Sequence, residues 1–565
     1  MPSANEGEGA VKCFPRRRFL GTTREVNHKT LTQLENWTGL FEDILSISNE
    51  SPSGSKDPIK AIEIGCKATG FSADHAADQL KLSKELCNYK LLCDYQLRGA
   101  EAMKSKSEEE IKEVVEEKFA NILAEVGDWN GWETRSKEER ENLLERLIDE
   151  VTVHFGKLAF AELPEQLQRI AGLWRWSGCC MHKDLNTFKG GAAKLSAFWN
   201  EAGLEGPVKL LSREKEEREE LMGTDTTDRE QSKASSGAAK LADLVGALLQ
   251  NKDEDKGCPE EFRAYCKDHF EGEVAPFPDT SNNRYQCYGD AATELICYSN
   301  LYTGFLDQHG KAKKRGAGLN HMEKNIVKGL TDPATWTELA VFALYSEAVS
   351  KPYALTVRGS YNESKNALDM GENHQEIITH IDTLIESPDL LVGDHTSCET
   401  GALYRTPWNQ AIIDYIHSLR DKLPYLRQAL AAFLHGARAK WVDFTTEYVP
   451  GSDISNSTAE ERLLSFRSPT NDHSEGAGAM WKLWSRRHPS MTTHQKDAQL
   501  FMQLNHPDVE TYCRNLPEPD RAFAQAKACE IDGAKLPAKE YEAQARADRE
   551  AADEEQREVE RLKKC

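Results

Sequence analysis

Leu31, Leu34, Trp37, Phe41, Ile44 and Leu45 follow one face of a 3.6-residue repeat and predict an amphipathic helix over 29–48. A Ser/Pro/Gly/Lys/Asp stretch at 51–58 ends it, and a short apolar run at 59–66 leads into the segment around Asp74. Residues 76–180 read as helices. Within them, the Glu/Lys-rich stretch 104–120 predicts a solvated helix with i,i+4 pairs, Trp129 and Trp132 mark a Gly-rich break, and 137–160 is amphipathic. A strand end at 173–176 precedes Gly178-Cys179-Cys180, and a helix carrying Leu195, Phe198 and Trp199 stops at Gly203. Further helices are predicted at 286–309, 319–330, 335–350, 372–386, 408–421, 424–447 and 458–465, with a short strand at 353–358 among them. Residues 212–240 read as a mobile insertion, and 535–564 as a frayed helix or disordered tail. By pattern alone, a mainly helical interaction protein is the default.

Composition changes this picture little. With 565 residues, 39% hydrophobic and 29% charged, the chain can bury a large core and hold two to four domains, or one with large insertions. No run approaches the ~18 apolar residues of a membrane span, so no membrane partner is expected. The first 18 residues lack the apolar stretch of a secretory leader. Fourteen cysteines without a CxxC pair predict reduced thiols. The net charge of −22 argues against nucleic-acid binding, but the acid is concentrated at 108–117, 133–150, 214–220 and beyond 539. Basic clusters remain at 16–18, 311–315 and 482–488.

Four places could carry chemistry. In Thr-Gly-Phe-Ser-Ala-Asp-His-Ala-Ala-Asp-Gln (69–79), Asp74 follows an apolar strand and opens a helix at Ala76, a place suited to a metal-binding carboxylate or to an N-cap. Asp78, one turn on, reads as surface. Cys180-x-His182, with Cys179 supplying an x-x spacing to the same histidine, is half of a metal site or a packed cysteine pair. Cys258, Cys266 and His269 are further donors without finger spacing. Arg284-Tyr285 could stack on a base and touch phosphate, or simply start a helix. In Pro-Thr-Asn-Asp-His-Ser-Glu-Gly-Ala (469–477), Glu475 enters a helix as a catalytic or capping acid, with Asp472 a weaker substitute. Lys482, Arg486, Arg487 and His488 follow, placed to meet a DNA backbone. His321 reads as an ordinary capped helix start.

The order of these segments, with Gly-Cys-Cys-Met-His-Lys-Asp-Leu-Asn (178–186) between the two acids, resembles an RNase H-like (DDE/D) transposase of the Mutator/hAT type, in a form found in multicopy elements of mushroom-forming fungi. The resemblance covers roughly residues 18–510. It implies a mainly α chain with a small α/β core, an incomplete RNase H-like core interrupted by a large helical insertion. The implied domains are a disordered 1–17, core residues 18–100, a helical segment 101–211 with the Cys/His motif, the mobile 212–240, a helical insertion 241–450, a final core helix in 451–510, and a charged tail 511–565.

On that resemblance Asp74 and Glu475 are the second and third metal-binding acids, and the ancestral reaction is cleavage and strand transfer of DNA with Mg²⁺ or Mn²⁺. Cys180 and His182 order the fold or hold Zn²⁺. Arg284, in an Arg284-Tyr285 pair that stands where Arg-Trp is usual, contacts phosphate together with Lys482, Arg486 and Arg487. Transposon-end DNA, a homodimer and a nuclear location follow from the resemblance alone; without it the expected location is cytoplasmic. The first acid is expected before residue 29, where Glu6, Glu8 and Glu25 occur but no strand with a central Asp. The chain therefore reads as N-terminally truncated and catalytically incomplete. Two rivals are a non-catalytic helical binding or regulatory protein and a zinc-stabilised regulatory domain.

Overall fold

Two four-residue strands, β1 (Gly70–Ala73) and β2 (Arg175–Gly178), pair in parallel, and the other regular elements among the described residues are helices. The computed structural model describes residues 17–22, 29–214, 216–217, 237–250, 257–269, 276–280, 286–313, 318–359 and 365–534, with a few positions between 542 and 557. Arg284, residues 218–236 of the expected insertion and most of the tail lie outside them. With 76% helix and 2% strand among the described residues, packing between helices carries nearly all of the core, as the hydrophobic pattern predicts.

The chain divides into two units. The first comprises 1–177, 457–467 and 471–565; the second comprises 178–456 and 468–470. The second unit is thus an insertion that opens at the end of β2.

In the first unit, helix Thr30–Glu50 precedes β1, and the apolar run before β1 forms the short helix Ala61–Gly65. The two strands are joined by a helical crossover (Ala77–Ala102, Glu108–Val126, Lys137–Ala161), as a parallel pair requires. Ser107 with Glu110 and Ser136 with Glu139 start two of these helices with reciprocal capping boxes. Lys106–Glu110 and Lys112–Glu116 are the i,i+4 pairs expected there. Ile122, Trp132, Leu147, Val151 and Phe155 form a small core between them.

Helices Ala77–Ala102 and Lys137–Ala161 meet backbone to backbone. A Cβ on Gly99 would lie 1.8 Å from the Thr152 carbonyl oxygen, and one on Gly156 would lie 1.8 Å from that of Tyr95. In an open helix, Gly→Ala stabilises by about 1 kcal/mol; here the new methyl must push the helices apart. Gly99→Ala is therefore expected to destabilise by about 1–3 kcal/mol, read as a lower denaturant midpoint. A gain in stability would show that the contact is not made.

The second unit has the larger core. Helix Cys180–Glu201 lies along Leu426–Asp443, with Gly191 under the Phe433 ring and Gly436 against the Gly190 carbonyl. Phe188, Phe342, Tyr345 and Phe433 cluster with ring centroids 4.8–5.8 Å apart, at distances favoured by edge-to-face aromatic pairs. Helix Pro333–Tyr345 is buried along nearly its whole length. The strand expected at 353–358 is instead helix Lys351–Arg358, which buries Tyr353 and Val357, four residues apart on one face. Pro352 directly follows the π-helical turn Ser346–Ser350, where the regular i→i−4 ladder is already interrupted.

Candidate functional site

Asp74 directly follows β1, as the sequence predicts. Its Oδ1 accepts the Ala76 N–H at 3.0 Å, so it closes the turn before helix Ala77–Ala102, whose own N-cap makes no side-chain bond. Beside it, His75 meets Trp176 of β2 edge to face at 5.1 Å. Asp78, expected at the surface, is half-buried and accepts from Gln33 (3.3 Å) and Gln79 (3.2 Å).

Glu475 lies in the first turn of helix Asp472–Arg487, also in the first unit, with an exposed side chain. This end suits an acid, since the dipole favours negative charge there. Lys482, Arg486 and Arg487 are exposed on the last turns of the same helix, and Lys482 and Arg486 share a face at i,i+4. Trp481 anchors the helix to Thr493–Leu504 by receiving the Lys496 ammonium over its ring at 5.3 Å.

The chain re-enters the first unit through residues 457–467, and this return is built of charged contacts. Glu461 accepts from Arg169 Nε at 3.0 Å, Arg169 NH2 at 3.1 Å and Arg175 NH2 at 3.5 Å, while Arg175 Nε reaches Ser457. Arg467 NH2 reaches Thr69 Oγ1 at 3.4 Å, at the start of β1. Burial holds the Arg467 guanidinium down to about 10. These contacts place helix Asp472–Arg487 in the unit that carries Asp74. Sequence reasoning missed them; the only signal was the capping-box spacing of Thr458 and Glu461.

Cys180 and His182 sit two residues apart in the first turn of helix Cys180–Glu201, where side chains point to different sides. Cys180 is fully buried, with Sγ 4.0 Å from His374 Nε2, and that nitrogen also bonds Tyr353 Oη at 2.9 Å. Burial pushes the Cys180 thiol up to about 12, which keeps it protonated and inert. His182 is half-buried. Next to Cys180 in space, the fully buried Lys183 pairs with Glu447 and donates to the Phe444 carbonyl at 2.8 Å.

Mg²⁺ or Mn²⁺ chemistry of the two-metal kind needs several carboxylates around ions ~3.5–4 Å apart. Among the described residues, neither Asp74 nor Glu475 belongs to a group of three side chains close enough to share an ion, so the arrangement does not fit such a centre. The same holds for Cys180 and His182. The one such group among the described residues is Cys258, Glu261 and His309, of which the sequence singled out only Cys258. Comparison with protein-family models, with curated proteins and with solved structures finds no match to this chain.

Proposed function

We propose that the chain is a transposase-derived DNA-binding polypeptide with an RNase H-like core, which contacts DNA through Lys482, Arg486 and Arg487 and does not cleave it alone. One observation carries the reading: the order of elements in the first unit. A helix leads to strand β1 with Asp74 at its end, a helical crossover returns to the parallel strand β2, a helical unit is inserted there, and the chain resumes into a helix bearing Glu475. That order of strand, acid, crossover and late helix is in keeping with the resemblance to Mutator/hAT transposases, although the inserted unit opens at 178 rather than at the expected 241. Asp74 and Glu475 hold the positions of two ancestral acids, but without a set of donors that converges on an ion.

Binding of duplex DNA by the full chain should fall steeply with salt, despite the net charge of −22. Replacing Lys482, Arg486 and Arg487 together by alanine should reduce the slope of log affinity against log salt by about 2–3. Added Mg²⁺ or Mn²⁺ should produce no cleavage. An unchanged slope in the triple variant would overturn the DNA interface; cleavage lost in Asp74→Asn would overturn the non-cleaving assignment.

A second reading, a helical protein-binding module, is favoured by Leu144 and Ile148, which stand 42% and 64% exposed at i,i+4 on helix Lys137–Ala161. No detectable DNA binding by the full chain would favour it.

A further inference from the structure

We propose that Cys258, Glu261 and His309 bind one zinc-class divalent ion, independently of the transposase reading. Their ligand atoms lie within 4.8 Å of one another. A tetrahedral ion ~2.0–2.3 Å from each donor fits among them after small side-chain rotations.

The local sequence explains the convergence. Cys258 accepts the Phe262 N–H at 3.1 Å through its carbonyl, so it is the N-cap of helix Pro259–His269, and Glu261 is the third residue of that helix. Elsewhere this spacing makes capping boxes, as with Ser107–Glu110 and Thr458–Glu461. Here a thiol stands where the hydroxyl would be, a weak acceptor for backbone amides and a strong metal ligand.

His309 arrives from helix Cys287–Ala312, its ring stacked on Phe305 at 5.4 Å. Its Nδ1 lies 2.6 Å from Glu261 Oε2, and its Nε2 lies 3.2 Å from Glu323 Oε1. Glu323 is 2% exposed and rigidly held by the Lys313 ammonium (2.6 and 2.8 Å), the Asn320 N–H (2.8 Å) and Asn320 Nδ2 (2.9 Å). A neutral imidazole that donates Nε2–H to Glu323 turns the Nδ1 lone pair toward the Glu261 carboxylate and the Cys258 sulfur. A cation at that point relieves the repulsion. This carboxylate–histidine–metal relay is how proteins commonly fix a ligating histidine.

The donor set selects the ion. Sulfur and imidazole disfavour Mg²⁺ and Ca²⁺, and three protein ligands leave a fourth position for water. The ion would clip the start of one helix to the end of another within the second unit.

The full chain, stripped with a chelator, should take up one equivalent of Co²⁺ with a thiolate-to-cobalt charge-transfer band that Zn²⁺ displaces. Cys258→Ser should lose the band, whereas Cys297→Ser, at an exposed cysteine of the second helix, should keep it. Glu323→Gln should retain the band with affinity weakened about 10–100-fold. Zn²⁺ should also protect Cys258 of the unmutated chain from alkylation, a readout that does not depend on how the variants fold. Sub-stoichiometric uptake, a band that survives Cys258→Ser, or unprotected Cys258 would overturn the site.

Discussion

Glu461→Ala should destabilise the first unit by about 3–5 kcal/mol and open residues 457–467 to exchange and proteolysis, with the second unit unchanged. Glu461 is 7% exposed and collects four donated bonds: two from Arg169, one from Arg175 and, through its capping box, one from the Thr458 amide, with the Arg169 Nη2 close to both oxygens. Removing it leaves Arg175, itself only 13% exposed, as a charge without its carboxylate. The loss of such a partner, rather than the net worth of the pair, sets the size of the effect. The helix cap adds about 1 kcal/mol. A loss below about 1 kcal/mol would show that the segment is held by something else.

The same contacts fix a sign with pH. Burial alone would raise the Glu461 carboxyl, but the Thr458 amide and the Arg169 and Arg175 guanidiniums outweigh it and hold it below the ordinary carboxylate value of 4.5. Its contribution is complete above that value and is lost as pH falls through the lower, folded-state one. Glu461→Gln should therefore lower the neutral plateau of first-unit stability and flatten its acid limb, so that variant and unmutated chain converge at low pH.

The parts of the fold that were legible in the sequence were those written in local periodicity. The helix predicted at 29–48 is Thr30–Glu50, that at 137–160 is Lys137–Ala161, and Asp74 stands after a strand. The strand before Gly178 was predicted two residues early, because Leu173 and Trp174 are as apolar as the strand itself. Residues 353–358 misled because Tyr353, Leu355 and Val357 alternate like a strand, yet Leu355 is 60% exposed on a helix that buries the other two. Tertiary packing overrides a short alternation of this kind. The surroundings of Cys180 could not be read at all, since His374 lies 194 residues away and nothing local marks the meeting. The Cys258–Glu261–His309 group was half legible: the cysteine invited attention, but its partner histidine sits on another helix with ordinary spacing.

Acidification from pH 8 to 5 should stabilise the second unit by about 4 kcal/mol through two buried carboxyls. Burial raises Glu338 to about 7, against the Ala238 N–H and Trp199 Nε1–H that it accepts, and raises Asp184 to about 6, against the Ser350 hydroxyl. Both folded-state values exceed the unfolded ones of 4.5 and 3.8, so the folded unit takes up protons first as pH falls and gains stability until the unfolded carboxyls begin to titrate. Burial moves Asp290 and Glu294 in the same direction. In the first unit Asp497 is raised too, but Glu461 is lowered and holds its charge across this whole range. Denaturant unfolding followed at a series of pH values should thus resolve two transitions that draw apart on acidification, because the second moves up and, below the ordinary carboxylate range, the first moves down. Asp184→Asn preserves the acceptor for Ser350 and cannot ionise, so it should remove its share of the rise and leave the pH 5 midpoint nearly unchanged. A midpoint for the second unit that is flat between pH 8 and 5 would mean that water reaches these carboxyls in the folded state.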